Sequence, residues 1–222
     1  MLALPAGHLF AAGDSSPAIA HTSSGTLLGE STGGVRIFRG VPFAEPPIGP
    51  LRFRPTAKIK PWSSERDATR FAASAMQWHE GIAPAEIPFS HSEDCLYLNI
   101  WAPQGKGPFP VFVWIHGGGF VSGHAFEPVF DGTAFAREGI VCVTIAYRLG
   151  AFGFLNLAPL LGPGYAGSAD NAIRDVMAAL EWLQANLSAF GGDPSRVTIG
   201  GESAGAKLAD ILMGVPSECQ QA

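Results

Sequence analysis

The sequence predicts an α/β fold on a mostly parallel sheet flanked by helices, and three observations predict it. Residues 111–115 (VFVWI) and 140–145 (IVCVTI) are almost wholly apolar, rich in β-branched and aromatic side chains. Parallel strands covered by helices on both faces have that composition. Residues 173–187 set Ile173, Val176, Met177, Leu180, Leu183 and Leu187 on one helical stripe. A short apolar strand at 197–199 follows, and strand, helix, strand with long crossovers requires parallel pairing.

Residues 1–25 are rich in Ala, Gly, Ser and Pro without period and read as a poorly ordered lead-in, so the folded part is expected over 26–222. Pro42, Pro46, Pro47, Pro50, Pro55 and Pro61 exclude a long helix or a central strand from residues 40–61. At 96–101, Leu96, Leu98 and Ile100 alternate with Tyr97, Asn99 and Trp101, the period of a strand with two unlike faces, expected near the outer part of the sheet. Ser168 or Asp170 is available to cap the helix at 173–187, and Gly191-Gly192 ends it. Neither an internal repeat nor a low-complexity tract interrupts the pattern.

The chain has 222 residues, enough for one well-buried core. A net charge of -5 without Lys/Arg runs argues against nucleic acid and against an anionic membrane surface, and favours a small uncharged or mildly polar substrate. Cys95, Cys142 and Cys219 are far apart and lack paired spacing, so they read as thiols in a reducing, cytoplasmic-type compartment. Residues 1–12 are apolar but carry no Lys or Arg, and Pro5, Gly7 and His8 interrupt them, so a secretory leader is only weakly encoded. Every hydrophobic run is too short to cross a bilayer. The chain carries no metal-ligand cluster, nucleotide loop or flavin signature, and therefore implies no cofactor and no metal.

Directly after the strand at 197–199 comes Gly201-Glu202-Ser203-Ala204-Gly205, and a helix-compatible stretch follows. A chain this rich in glycine would carry Gly-x-Ser-x-Gly by chance in roughly a quarter of cases, so the motif alone is weak. Between a strand and a helix it becomes a nucleophile turn: glycines let strand and helix meet, and the sharp backbone exposes Ser203 Oγ. The helix behind it directs N–H groups at a carbonyl that gains negative charge. A second constellation, His116-Gly117-Gly118-Gly119-Phe120, stands at the end of the strand 111–115. Three glycines let the backbone approach a substrate and offer N–H groups to an oxyanion, although a plain glycine-rich loop would look the same. Two strand ends that each supply half of an acyl-transfer site favour the first reading. Phe120, Phe126 and Phe130 read equally as a gorge lining or as core.

The chain resembles the type-B carboxylesterase and cholinesterase family of α/β-hydrolases in five ordered segments. These are FRGVPFAEPPIGPLRFRP (38–55), SEDCLYLNIWAP (92–103), WIHGGGFVSG (114–123), AYRLGAFGFL (146–155) and NLSAFGGDPSRVTIGGESAG (186–205). The resemblance implies an α/β-hydrolase fold with Ser203 as nucleophile and the N–H groups of Gly118, Gly119 and Ala204 as oxyanion hole. Glu202 matches a family glutamate associated with the water and histidine network beside the serine. Where many secreted relatives pair a cysteine with the one matching Cys95, FAASAMQ puts Ala75 here, which implies a buried thiol at Cys95. Asp170-Asn171-Ala172-Ile173 replaces the common Asn-x-Gly-Leu.

In this fold acid and histidine follow the serine. All six histidines (His8, His21, His79, His91, His116, His124) precede Ser203, and the acids after it are Asp210 and Glu218. His116 and His124 are better suited to loop packing than to base catalysis. The chain therefore reads as an α/β-hydrolase truncated after the nucleophile strand and helix, inactive alone and partnered by the missing C-terminal half. The expected function is hydrolysis of a carboxylic ester through a serine acyl-enzyme. The alternative is a non-catalytic interaction protein on the same fold, against which the retained Ser203 and triple glycine count.

Overall fold

The computed structural model describes residues 16–77 and 90–214. Its strands, in chain order, are β1 (Ser16–Thr22), β2 (Gly25–Thr32), β3 (Val35–Pro42), β4 (Arg66–Asp67), β5 (Ser74–Ala75), β6 (His91–Ser92), β7 (Tyr97–Pro103), β8 (Phe109–Ile115), β9 (Val141–Ile145) and β10 (Gly192–Gly201). The helices are α1 (Thr133–Arg137), α2 (Gly150–Phe154), α3 (Ala158–Leu161), α4 (Asn171–Asn186) and α5 (Ala204–Gly214).

The main sheet runs β1-β2-β3-β7-β9-β8-β10, with β4 beside β2. From β1 through β9 along this order the neighbours are antiparallel. The β9-β8-β10 half is parallel, where the apolar runs put it. The sheet is therefore mixed: an antiparallel half carries a parallel half, and the two glycine-rich motifs lie on the latter. The β1-β2 and β2-β3 turns are short enough to enforce antiparallel pairing, the latter at Gly33-Gly34, both with positive φ.

Three expectations need correction. From Ser16 on, the stretch expected as a poorly ordered lead-in belongs to the sheet, as β1 paired with β2; residues 1–15 lie outside the described part. The core-facing residues of β1 are Ala18 and Ala20, too small to mark a buried face by hydropathy, although both are buried. The strand at 96–101 is interior, since β7 lies between β3 and β9. Its polar residue Asn99 is paired within the fold: it accepts from Gly40 N–H (3.0 Å) and donates to Ala125 O (3.2 Å) and Thr144 Oγ1 (3.0 Å). A polar side chain in a period-two run therefore marks a hydrogen-bonding niche here and not solvent. Neither predicted side chain caps α4; Ser168 Oγ accepts instead from Leu157 N–H at 2.8 Å.

The amphipathic stripe of α4 packs Val176, Ala179 and Leu183 onto the sheet, and the chain leaves the following 3-10 turn (Leu187–Phe190) at Gly191 with left-handed φ of 78°. Between α4 and the loops after β9 lies a buried ion pair. The Asp175 carboxylate accepts from Arg148 Nε, Arg148 Nη2 (both 2.8 Å), Arg148 N–H (3.0 Å) and Thr56 Oγ1 (2.6 Å). With every lone-pair direction occupied, this pair locks the proline-rich loop and α4 to the end of β9; removing one partner of such a pair costs about 3–5 kcal/mol. Cys95 and Cys142 are free buried thiols, and burial raises both, Cys142 to about 12; Cys219 lies outside the described residues. Among the described residues no helix is long and apolar enough to cross a membrane.

Among the described residues β10 is an end strand, paired with β8 on one side only. Ile199 on β10 and Met213 on α5 are 38% and 81% exposed, beside half-buried Met177 and Leu180 of α4. An apolar strand edge of this kind pairs with other chains. The 222-residue chain alone is expected to elute as oligomers or aggregates in size-exclusion chromatography with light scattering, and Ile199→Lys to shift it toward monomer. A soluble parent monomer that melts cooperatively would contradict this.

Candidate active site

The two motifs meet because β8 and β10 are adjacent parallel strands in register, Ile115 opposite Gly201. Neighbouring strands lie about 4.8 Å apart, so residues leaving both C-terminal ends emerge side by side. The loop 116–123 follows β8, and the turn 202–204 follows β10.

Contacts that tolerate no Cβ lock the two together. A Cβ on Gly205, in the first turn of α5, would lie 2.0 Å from Ile115 O and 2.7 Å from His116 O. One on Gly117 would lie 2.2 Å from Glu202 Oε2, and one on Gly201 2.5 Å from the carbonyl carbon of Gly205. Strand end, loop and helix start therefore touch backbone to backbone. Only glycine fits at the three positions, which is the physical content of the Gly-x-Ser-x-Gly pattern and of the first loop glycine.

Ser203 occupies the turn with φ of 52°, a left-handed conformation that costs a non-glycine residue about 1–2 kcal/mol. The turn is held by Gly205 N–H to Glu202 O (2.8 Å) and Lys207 N–H to Ser203 O (3.1 Å). Ser203 is exposed, and Ala204 behind it is buried as the first residue of α5. Its N–H is thus one of the donors that a helix start leaves unpaired. In the facing loop Gly118 O accepts from Val121 N–H (3.1 Å), Ser122 N–H (3.0 Å) and Ser122 Oγ (3.1 Å). The N–H groups of Gly118 and Gly119 find no acceptor among the described residues. Ser203, Gly118, Gly119, Ala204 and Glu202 thereby lie at one end of the sheet, beyond the ends of β8 and β10.

The floor of the loop is aromatic. His116 is buried, its ring stacked on Tyr147 (centroids 4.5 Å apart, 17°), and its Nδ1 lies 2.8 Å from Gly117 O. Tyr147 OH donates to His116 O at 2.8 Å. His124 is buried with its ring centroid 4.5 Å from that of Phe126. Burial lowers both histidines to about 4, and the neighbouring imidazoles, His124 for His116 and His91 for His124, push the same way. Both rings act as neutral packing under the loop. Glu127, absent from the sequence reading, is raised by burial and then by the charge of Glu202. Phe126 is core, whereas half-buried Phe120 and Phe130 pack on Phe154 (5.1 Å) and Trp114 (5.5 Å).

His21 lies on β1, the outermost strand among the described residues, and Asp210 is exposed on α5 beside Met213, away from the turn; His8, His79 and Glu218 are outside the described residues. No group of three or more His, Cys, Asp or Glu among the described residues is arranged to hold a metal ion. Gln77, also missed, joins its carboxamide to both backbone groups of Gly123 at 3.0 Å.

Residues 16–221 match the sequence profile described as the Carboxylesterase family. Among curated proteins, the chain is 44% identical to the fumonisin B1 esterase of Sphingopyxis macrogoltabida, covering 89% of this chain and 37% of that protein. It is 40% identical to the para-nitrobenzyl esterase of Bacillus subtilis (strain 168), covering 90% and 41%. The acylcarnitine hydrolase of Mus musculus is 43% identical over 84% of this chain and 35% of its own length. Among solved structures, a carboxylesterase of Geobacillus stearothermophilus superposes with a TM-score of 0.82 at 42% identity, over 91% of this chain and 42% of that one. The chain thus spans about two fifths of the length of these relatives.

Two outcomes follow from the packing. Gly205→Ala forces a methyl group against the end of β8 and is expected to destabilise the complete protein by about 1–3 kcal/mol, seen as a lower urea midpoint; an unchanged midpoint would disprove the close approach. His116 and His124 titrate near 6.5 when unfolded but near 4 when folded, so the unfolded state binds more protons between those values. Stability is expected to fall as pH drops from about 6.5 toward about 4, with Glu127 opposing weakly, and to be insensitive to these groups above about 7. A flat urea midpoint between about pH 7 and about pH 5 would show that the rings are not buried neutral.

Proposed function

The chain belongs to the carboxylesterase family, and from that premise we propose that it is the nucleophile-bearing part of a longer serine esterase that cleaves small-molecule carboxylic esters through an acyl-enzyme. The observation that supports the reading is the register of β8 and β10, Ile115 opposite Gly201, from whose ends the loop bearing Gly118 and Gly119 and the turn bearing Ser203 and Ala204 both emerge.

Ser203 Oγ attacks the ester carbonyl carbon while a general base takes its proton. The carbonyl oxygen becomes an oxyanion and accepts from the amides of Gly118, Gly119 and Ala204. Such preorganised donors act on charge present in the transition state and absent from the ester, so they raise turnover more than binding; each is worth about 10²–10³-fold. The tetrahedral intermediate expels the alcohol, which leaves with the proton. Water, activated by the same base, then attacks the acyl-serine and restores Ser203. The base and its orienting acid come from the part of the relatives' length beyond the matched residues. That part also covers the exposed side of β10 and the apolar faces of α4 and α5.

Without the base, the serine stays a protonated alcohol, and losses on the order of 10⁶-fold attend removal of nucleophile or base in serine hydrolases. The product of the complete reading frame is expected to take up a fluorophosphonate at Ser203 and to hydrolyse p-nitrophenyl esters. Ser203→Ala should lose about 10⁶-fold in turnover and all labelling. A complete protein that folds but leaves Ser203 unlabelled would point to the non-catalytic reading.

A further inference from the structure

We propose that Gln77 is a positioning residue for the oxyanion loop, acting through Gly123. The proposal rests on the assignment of Ser203 and the loop 116–123 made above. Gln77 Nε2 donates to Gly123 O (3.0 Å) and to Ala75 O (3.2 Å), while Gly123 N–H donates to Gln77 Oε1 (3.0 Å). One carboxamide thus satisfies both backbone groups of Gly123, as a neighbouring strand would.

Gly123 is where the loop closes on itself. It has φ of 104°, and a Cβ there would lie 2.5 Å from Gly117 O and 2.6 Å from His116 Nδ1. Its backbone therefore rests on the residue that opens the loop. Between these ends the turn is tied through Gly118 O to Val121 and Ser122. The Gly118 and Gly119 amides have no acceptor of their own among the described residues, so their direction is set by how the turn is closed. His116 and Tyr147 hold the inner side, and Gln77 holds the outer. Gln77 is itself fixed at the end of β5, whose Ser74 and Ala75 pair with β6.

Only a group with a donor and an acceptor side by side fits this contact. An ionised glutamate would face Gly123 O with a second acceptor, and leucine would leave both Gly123 groups unpaired. A protonated carboxyl offers one donor beside one acceptor, enough for both groups of Gly123, and leaves only Ala75 O without its partner.

The test compares Gln77→Leu and Gln77→Glu in the complete protein with its parent. Both substitutions are expected to lower kcat for a p-nitrophenyl ester about 10²-fold with KM changed less than about threefold, since oxyanion alignment matters only in the transition state. Facing Gly123 O favours the protonated form of a carboxyl here, so relative to the parent at each pH, which cancels effects shared with the neighbouring His91 and His124, Gln77→Glu should regain activity as pH falls from about 8 to about 5, and Gln77→Leu should not. A role in stability alone would lower Tm without that split or rescue. An unchanged kcat in Gln77→Leu, or no rescue of Gln77→Glu, overturns the proposal. If the parent itself fails to label at Ser203, the esterase reading falls, and amide exchange decides the clamp: Gly123 N–H should exchange at least about tenfold faster in Gln77→Leu, and equal exchange overturns it.

Discussion

The site depends on one constraint: two parallel strands, β8 and β10, end in register, and the residues beyond them must pack backbone against backbone. Ile115 faces Gly201 across the sheet, and the absence of side chains at Gly117, Gly201 and Gly205 lets the loop, the turn and the start of α5 share a space no Cβ could enter. The loop bearing Gly118 and Gly119 and the turn bearing Ser203 then leave the sheet side by side. Their approach follows from strand spacing and needs no separate interaction to hold it.

The rest of the molecule keeps that junction rigid. The Arg148–Asp175 pair, fully hydrogen-bonded and buried, anchors α4 and the proline-rich loop to the end of β9, the strand next to β8. Asn99 joins three segments under the loop region. The stacked His116 and Tyr147 form a neutral floor, and Gln77 clasps the loop from outside. Strain at Ser203 persists because these surroundings over-determine it.

Much of this was legible in the residues. The parallel strands declared themselves by unbroken apolar runs, and the motif glycines by the positions at which a sheet must meet a helix. The antiparallel half was less legible. Ala18 and Ala20 bury too little surface to give β1 a hydrophobic signature, and Asn99 made an interior strand resemble an outer one. The unused caps at Ser168 and Asp170 show that a residue suited to a role is recruited elsewhere when a neighbouring donor competes, here Leu157 N–H. Gln77 was invisible because its partner is a backbone group 46 residues away, a contact that no local pattern encodes.

The central claim is geometric and is tested most directly by a crystal structure of the complete protein with a phosphonate bonded to Ser203. The phosphoryl oxygen should lie about 2.7–3.1 Å from the amide nitrogens of Gly118, Gly119 and Ala204 together. An adduct whose oxygen points to solvent, or reaches only one of the three, would contradict the account.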